Sequence, residues 1–449
     1  MPPYATFSVA SSPDLYVSNK IYTPPTGSAY PHILLALSVP LAFTSPPFPG
    51  RNLFFSSLIV ALAISTQIDP HFTNDPGIAQ PFSQLWSVWF AALERLFASS
   101  RPSHVAGKPV IGPESLFWRN GRAAREAEGL AGFSPAKILW ALALTINLRG
   151  AGWNYLVDNV PTLTPAERTS RFRFLVSRIF KALYCFLMAD IANQLWMQLF
   201  FVANTGSGYT EIGMVDSKYL TIRDPNLGWR LIKTVAWGPL PYYSISFQYN
   251  MLSLFMVATT LSEPEDWPPL FGSISEVTSV RAFWGKFWHQ LIRRSFKAFT
   301  GYVVDAFRIP RGTLWSSNVQ IWLTFITTSF FHAQLNLITP VPSNIDFAER
   351  TRGMFQFFLW QALAISFEDT VQRIWGAVER KWGPLGSTGR TWHALRKPLG
   401  WMWVVLSFWI SIPWAADLTL RFRFGDELMV PFSIVSPWVT QLFQNLREH

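Results

Sequence analysis

The chain has 449 residues, of which 49% are hydrophobic, 16% aromatic and only 14% charged, with a net charge of +10. Soluble globular proteins carry about 25% charged residues, so this composition points to a membrane protein; its Lys and Arg sit in short loops between apolar runs, which favours anionic lipid heads or a phosphorylated substrate over nucleic acid. The single cysteine, Cys185, excludes an intrachain disulfide and a cysteine-based metal cluster.

Residues 1–29 are Pro- and Ser-rich, lack the pattern of a cleaved signal peptide and read as a polar lead-in. Residues 30–449 then read as a single membrane domain. The first apolar run, 30–44, is short for a span, which needs about 20 residues, and suits an interface. Residues 52–68 are a stronger span, and the run over 81–98 is interrupted by Glu94 and Arg95. The longest polar segment, 99–133, predicts an extramembrane loop with a short helix near 122–130. Apolar character returns over 138–148 and leads into Arg149-Gly150-Ala151-Gly152-Trp153-Asn154. A basic loop over 168–181 precedes a span over 183–202, where Asp190 and Gln194, four apart, share a helix face that should point inward. Another span covers 235–261, followed by an acidic connector over 263–276.

The stretch 280–299 is too charged to span and too aromatic to float free, so it reads as an interfacial or re-entrant helix. A span over 315–338 follows, then an apolar run over 354–365 that ends at Glu368 and Asp369. A basic loop over 380–397, a Trp-rich span over 399–416 and a short span over 428–443, weakened by Pro431 and Pro437, complete the chain. The expected fold is all-α, a polytopic transmembrane helical bundle of roughly eight or nine spans.

His332 lies in a run, 312–345, with no Asp, Glu, Lys or Arg. An ionisable group at membrane depth is a functional candidate, and a neutral imidazole can take a proton from an attacking alcohol. The alternative is a structural histidine bonded to a neighbouring helix. His289 sits among Arg281, Lys286, Arg293, Arg294 and Lys297, donors suited to phosphate, with Trp284 and Trp288 offering faces for an adenine ring. The same stretch also suits an interfacial anchor. His71 and Asp75 match a short H-x-x-x-D pattern in a loop between two prolines. Glu368 or Asp369 either caps a helix or orients an imidazole. A proton relay or pore calls for several acidic residues inside spans; Asp190 alone makes transport a weak reading.

Phe283-Trp284-Gly285-Lys286-Phe287-Trp288-His289-Gln290, with Arg293 beyond it, resembles the F-W-G-R-x-W-H-Q signature of wax synthase-like membrane acyltransferases, a branch related to the membrane-bound O-acyltransferases. Arg149-Gly150-Ala151-Gly152-Trp153 resembles the R-G-x-G-W segment of its fungal members, and Phe331-His332 their intramembrane histidine. The resemblance covers about residues 30–420. Lys286 departs from the usual Arg and loses its bidentate fork, and Thr328-Ser329 replaces a common Ser-Gly.

The resemblance implies acyl transfer from an acyl-coenzyme A to a hydroxyl of a lipophilic acceptor, within the lipid bilayer of, by expectation, the endoplasmic reticulum. Fungal members of this shape resemble O-acetyltransferases acting on terpenoid, meroterpenoid or trichothecene alcohols. It implies His332 as general base and His289 as a second active-site residue. Arg281, Trp284, Lys286, Trp288, Gln290, Arg293 and Arg294 become candidates for binding acetyl-coenzyme A, which is a co-substrate and not a permanent cofactor. Asn336, Glu368, Arg149 and Trp153 are supporting candidates, and no metal is expected. A long-chain wax ester or sterol ester synthase is the alternative within the family. A membrane transporter or scaffold is the alternative from another class.

Overall fold

The structure, a computed structural model, describes residues 22–101, 103–204, 210–212, 220–382, 389–425 and 432–448. Several of its helices begin where a small polar side chain accepts an orphan backbone N–H. Ser28 starts α1 (Ala29–Thr44), and α2 (Arg51–Ile68) packs on it. Asp75 caps α3 (Pro76–Gln84) through the amides of Gly77 and Ile78, and α4 (Trp86–Ser100) follows after one residue. A two-stranded hairpin (His104–Val105 with Lys108–Pro109) and a short α5 (Pro113–Leu116) lead to α6 (Pro135–Ile146), capped by Ser134. Next come α7 (Pro165–Thr169), α8 (Arg171–Trp196) with a π turn over Met197–Phe201, and a second hairpin (Val202–Asn204 with Thr210–Ile212). The rest is α9 (Leu227–Trp237), α10 (Pro239–Ala258), α11 (Val280–Ala282) running into a π turn (Phe283–Phe287), α12 (Arg293–Ala306), α13 (Leu314–Ile338), α14 (Phe347–Trp382), α15 (Gly389–Arg421) and α16 (Ser436–Glu448).

The strongest packing is α8 on α10 and α13 on α14, with α15 against α14 and α1 against α2. One apolar core joins α1, α2, α4 and α6 to Trp153 and Tyr155; another joins α13, α14 and α15. Several helices are inverted relative to those of a soluble protein. On α8 the buried side chains include Arg178, Asp190, Asn193 and Gln194, whereas Phe180, Leu183 and Tyr184 are exposed. Polar side chains face inward and apolar ones outward, as a lipid surround favours. Asp190, fully buried, accepts from the amides of Ile434 (2.7 Å) and Val435 (3.1 Å).

Two helical stretches, Arg51–Ile68 and Lys397–Arg421, are long and apolar enough to cross a membrane; α1 and α6 are apolar but shorter. The count of eight or nine spans is therefore not reached by length and hydropathy among the described residues. The longer helices carry their own charge, as α8 does with Arg171, Arg173, Arg178 and Lys181.

The element bounds correct the sequence reading at several points. The basic loop over 168–181 is mostly helix, because Ser170 caps α8 by accepting from Arg173 N. The helix expected near 122–130 is a series of turns: Arg125 has φ +64°, which breaks an α-helix, and its guanidinium holds the hairpin carbonyls of Val105 and Lys108. The single helix expected over 280–299 is two pieces with an irregular link. The run over 354–365 belongs to a 36-residue helix. Helix resumes at Gly389 inside the predicted basic loop, and Pro437 opens α16 instead of interrupting a span over 428–443. Residues 383–388 and 426–431, parts of those two expectations, lie outside the described residues, as do 1–21 of the lead-in.

Candidate active site

Thr313 caps α13 by accepting from Ser316 N, and the helix carries His332 inward. His332 Nδ1 lies 2.9 Å from the Thr328 carbonyl oxygen. A carbonyl can only accept, so Nδ1 carries the proton and Nε2 keeps its lone pair. Phe358 of α14 packs on the ring at 4.5 Å and Trp86 of α4 at 5.7 Å, while the neighbouring Phe331 stacks on Trp86 at 4.4 Å. The imidazole thus has a fixed tautomer and an aromatic cage, and it retains accessible surface.

The aromatic-basic motif reaches this level by a short detour. Ser279 caps α11 through Ala282 N, and the Glu368 carboxylate accepts from Val280 N (2.6 Å), Arg281 N (3.1 Å) and the Trp403 indole (2.7 Å). The chain then winds into its π turn, closed by Trp288 N to the Phe283 carbonyl at 2.8 Å. Such turns recur at functional sites. Trp284 donates its indole N–H to Gln361 Oε1 at 3.2 Å, and fully buried Gln361 donates to Phe357 O and Ser411 Oγ. Gln290 turns back to the carbonyls of Trp284 and Trp288. His289 is left facing Phe271 and Trp288, with Nδ1 buried and, among the described residues, unpartnered, within electrostatic reach of His332 and Arg149.

The cations of the motif fall into two groups. Arg293 donates to Gly285 O and Gln290 Oε1, both at 2.8 Å, and Arg294 clamps the Glu94 carboxylate at 3.0 and 3.1 Å while lying over Phe117 and Tyr155. Arg281 and Lys286 reach the surface, paired with Asp369 at 2.5 Å and loosely with Glu276 at 3.7 Å.

Arg149 is buried and ties its loop to the connector, donating to Pro268 O, Pro269 O and the Tyr249 hydroxyl. Trp153 packs on Trp140, with the Arg119 guanidinium over its own ring. Beside them a cavity of about 220 Å³ is lined by Arg119, Asn147, Arg149, Trp153, Asp266 and Leu291. Burial pushes the Asp266 carboxyl up to about 6, although the Glu263 amide and Arg119 pull the other way. Leu291, two residues past His289, connects this cavity to the motif.

Three sequence readings change here. Glu368 does not orient an imidazole, because its oxygens are taken up by the start of α11 and by Trp403. Asn336 donates to Arg350 O and joins α13 to α14. His71 bonds Asn74 and Asp75 caps α3, so the H-x-x-x-D pattern is a turn and a cap. The sequence reading missed Gln361, the amide in the apolar run over 354–365 that meets Trp284, and the Thr328 carbonyl that fixes the tautomer.

Residues 267–360 match the membrane bound O-acyl transferase family, and residues 170–258 match the aspirochlorine biosynthesis protein F C-terminal domain. Both the aromatic-basic motif and His332 fall in the first match. Aspirochlorine biosynthesis protein F of Aspergillus oryzae is 37% identical over 250 residues, 56% of this chain and 91% of that protein. Acetyltransferase ple2 of Rhodocybe pseudopiperita is 29% identical over 71% of this chain and 75% of its own length. Acetyltransferase pyr8 of Aspergillus fumigatus is 26% identical over 67% and 68%. No solved structure matches the chain. The chain is an acyltransferase that belongs to the membrane-bound O-acyltransferase family, in its fungal secondary-metabolite acetyltransferase branch.

Proposed function

We propose that the protein transfers the acetyl group of acetyl-coenzyme A to a hydroxyl of a lipophilic secondary metabolite of the terpenoid or meroterpenoid type, with His332 as general base. The observation that carries this reading is the fixed tautomer of His332, with Nε2 available, beside a motif that leaves His289 Nδ1 buried and without a partner among the described residues. The acceptor hydroxyl donates to Nε2. As the proton moves to the imidazole, the oxygen attacks the thioester carbonyl and a tetrahedral intermediate forms. The C–S bond then breaks, the ester is released, and the thiolate of coenzyme A takes the proton from the imidazolium. His289 holds the thioester. General base help of this kind is worth about 10²–10⁴-fold in rate.

Arg281 and Lys286, the exposed pair, meet the phosphates of the coenzyme. Arg293, Arg294, Trp284 and Gln290 act by holding the motif's shape, since their polar groups bond within the part-buried interior, whereas the pair of Arg281 with Asp369 lies at the surface. Trp288 packs against His289 and shapes its pocket. On this reading the protein is multi-pass and resides in the endoplasmic reticulum membrane.

The test uses membranes expressing wild type or His332→Ala, incubated with labelled acetyl- or palmitoyl-coenzyme A and a panel of terpenoid and long-chain alcohols. Acetyl ester formed by wild type, and lost in a folded His332→Ala protein, is the expected result. Full activity in that variant would sink the assignment of the base. Ester from the palmitoyl donor alone would replace acetyl transfer with wax or sterol ester synthesis.

A further inference from the structure

A cavity of about 450 Å³ plays no part in the proposed reaction. It lies between the first turns of α14 and the last turns of α15. Glu349, Arg352, Gly353 and Gln356 line it from α14, a set spaced by three and four and therefore on one helix face. Phe358, which packs on His332, lies roughly 200° around the helix from Gln356. Arg352 is about 25 Å along α14 from Asp369, the partner of Arg281. The cavity is therefore separate from both the imidazole and the exposed cations of the motif. Its floor is closed by contact between helices: a Cβ on Gly353 would come within 2.3 Å of the Trp414 carbonyl oxygen.

Three arginines, Arg223, Arg352 and Arg421, line the space against two carboxylates. Both carboxylates are engaged. Asp417 accepts from Thr221 Oγ1 and Ile222 N, each at 2.9 Å, and pairs with Arg223 at 3.2 Å. Glu349 accepts from Asp346 N at 3.0 Å. Arg352 and Arg421 have no side-chain hydrogen bond or ion pair among the described residues, and Arg421 Nε is buried without an acceptor. Two guanidiniums bordering one cavity with no ion pair among the described residues, in a lining of three arginines against two carboxylates, suit an anion with several acceptor oxygens. A phosphate ester matches their forked donors better than a halide or a single carbonyl.

We propose that this cavity binds the phosphate of an anionic phospholipid. Its apolar wall favours a lipid source. Pro413, Trp414 and Leu418 belong to Lys397–Arg421, one of the stretches able to cross a membrane, and Arg421 ends that stretch. A basic pocket between helix ends at that position meets lipid headgroups. The site stands whether or not the acetyl-transfer reading holds.

The experiment is native mass spectrometry of the full chain purified in detergent, titrated with phosphatidic acid or phosphatidylcholine of matched acyl chains. Thermal midpoints with inorganic phosphate and with coenzyme A are measured in parallel. We expect phosphatidic acid to be retained about tenfold or more over phosphatidylcholine. The preference should vanish in Arg352→Gln/Arg421→Gln and persist in part in Arg352→Lys, which keeps the charge without the fork. Equal retention of the two lipids, or a preference that survives in the double variant, overturns the proposal. A thermal shift with inorganic phosphate or coenzyme A, dependent on these arginines and not exceeded by phosphatidic acid, overturns the lipid assignment.

Discussion

Replacing Glu368 should detach the aromatic-basic motif from α14. The carboxylate accepts three hydrogen bonds, from Val280 N, Arg281 N and the Trp403 indole, and Glu368 is 6% exposed. Bonds to a charged group contribute about 1.5–3 kcal/mol each, and a buried donor left unmade costs about 1–3 kcal/mol. Val280 is fully buried, whereas water can reach the half-exposed Arg281 side of the turn. Glu368→Ala should therefore cost about 3–5 kcal/mol. Glu368→Gln can keep the oxygen that serves Val280 and Trp403 and loses only the bond from Arg281 N, so its cost should be about 1–2 kcal/mol. Asp369→Ala, which breaks only the half-exposed pair with Arg281, should cost under about 1 kcal/mol. The thermal midpoint of detergent-purified protein should thus fall most in Glu368→Ala, less in Glu368→Gln and least in Asp369→Ala. Coenzyme A release from acetyl-coenzyme A should follow the same order through kcat, because the π turn that presents His289 depends on this clamp. A Glu368→Ala protein with wild-type midpoint and kcat would refute the clamp.

Three further outcomes follow from other parts of the fold. Arg51 and Glu114 form a buried pair at 2.7 Å; Glu114→Ala should cost about 3–5 kcal/mol by leaving the guanidinium unpaired, while Arg51→Met with Glu114→Leu should recover most of the thermal midpoint. Gly152 has φ +73°, and a Cβ there would lie 2.4 Å from Asp266 Oδ1; Gly152→Ala should cost about 1–2 kcal/mol from the backbone alone and lower acetyl transfer, and an unchanged midpoint would argue against a rigid loop. The Asp266 carboxyl is raised to about 6, against about 3.9 in an unfolded chain. The folded protein therefore holds the extra proton between those values, so stability should fall as pH rises from about 4 to 6, and Asp266→Asn should flatten the midpoint across that window.

The positions of the main apolar helices were legible because their interiors have few charges. Their limits were not, since charge on a helix was read as a loop. Arg178 shows why: it lies within α8 and is buried, donating to Asn250 Oδ1 at 2.9 Å and to the Trp267 carbonyl. Partners so distant in sequence leave no local signal. The same holds for the motif, where spacing alone made Arg294 look available for phosphate, while Glu94, 200 residues earlier in the chain, occupies it. His332 stood out as the one ionisable group in a charge-free run, but its tautomer depends on which carbonyl its ring meets. The π turn was illegible for a related reason: it is held by Glu368, Gln361 and Gln290, and only Gln290 belongs to the motif.

These contacts make α14 the element on which the parts of the enzyme are set at fixed heights. Glu368 holds the start of the motif, Gln361 two turns earlier holds Trp284, and Phe358 packs on His332. The motif and the imidazole come from different segments, α11 with its π turn and α13, yet both are registered against one continuous run of helix. That arrangement explains why so few motif side chains are left with an unpartnered polar atom. On the proposed mechanism a misplacement of about 1 Å between the reacting groups costs rate, and a cation that also held the turn in place would move it on binding substrate. Assigning Arg293 and Arg294 to the scaffold and leaving Arg281 and Lys286 at the surface separates those duties. Arg352 in the first turns of α14 and Arg421 at the end of α15, both without an ion pair among the described residues, lie away from these contacts, so an anion there would bear on the α14–α15 contact at Gly353 without competing for the coenzyme on the proposed mechanism.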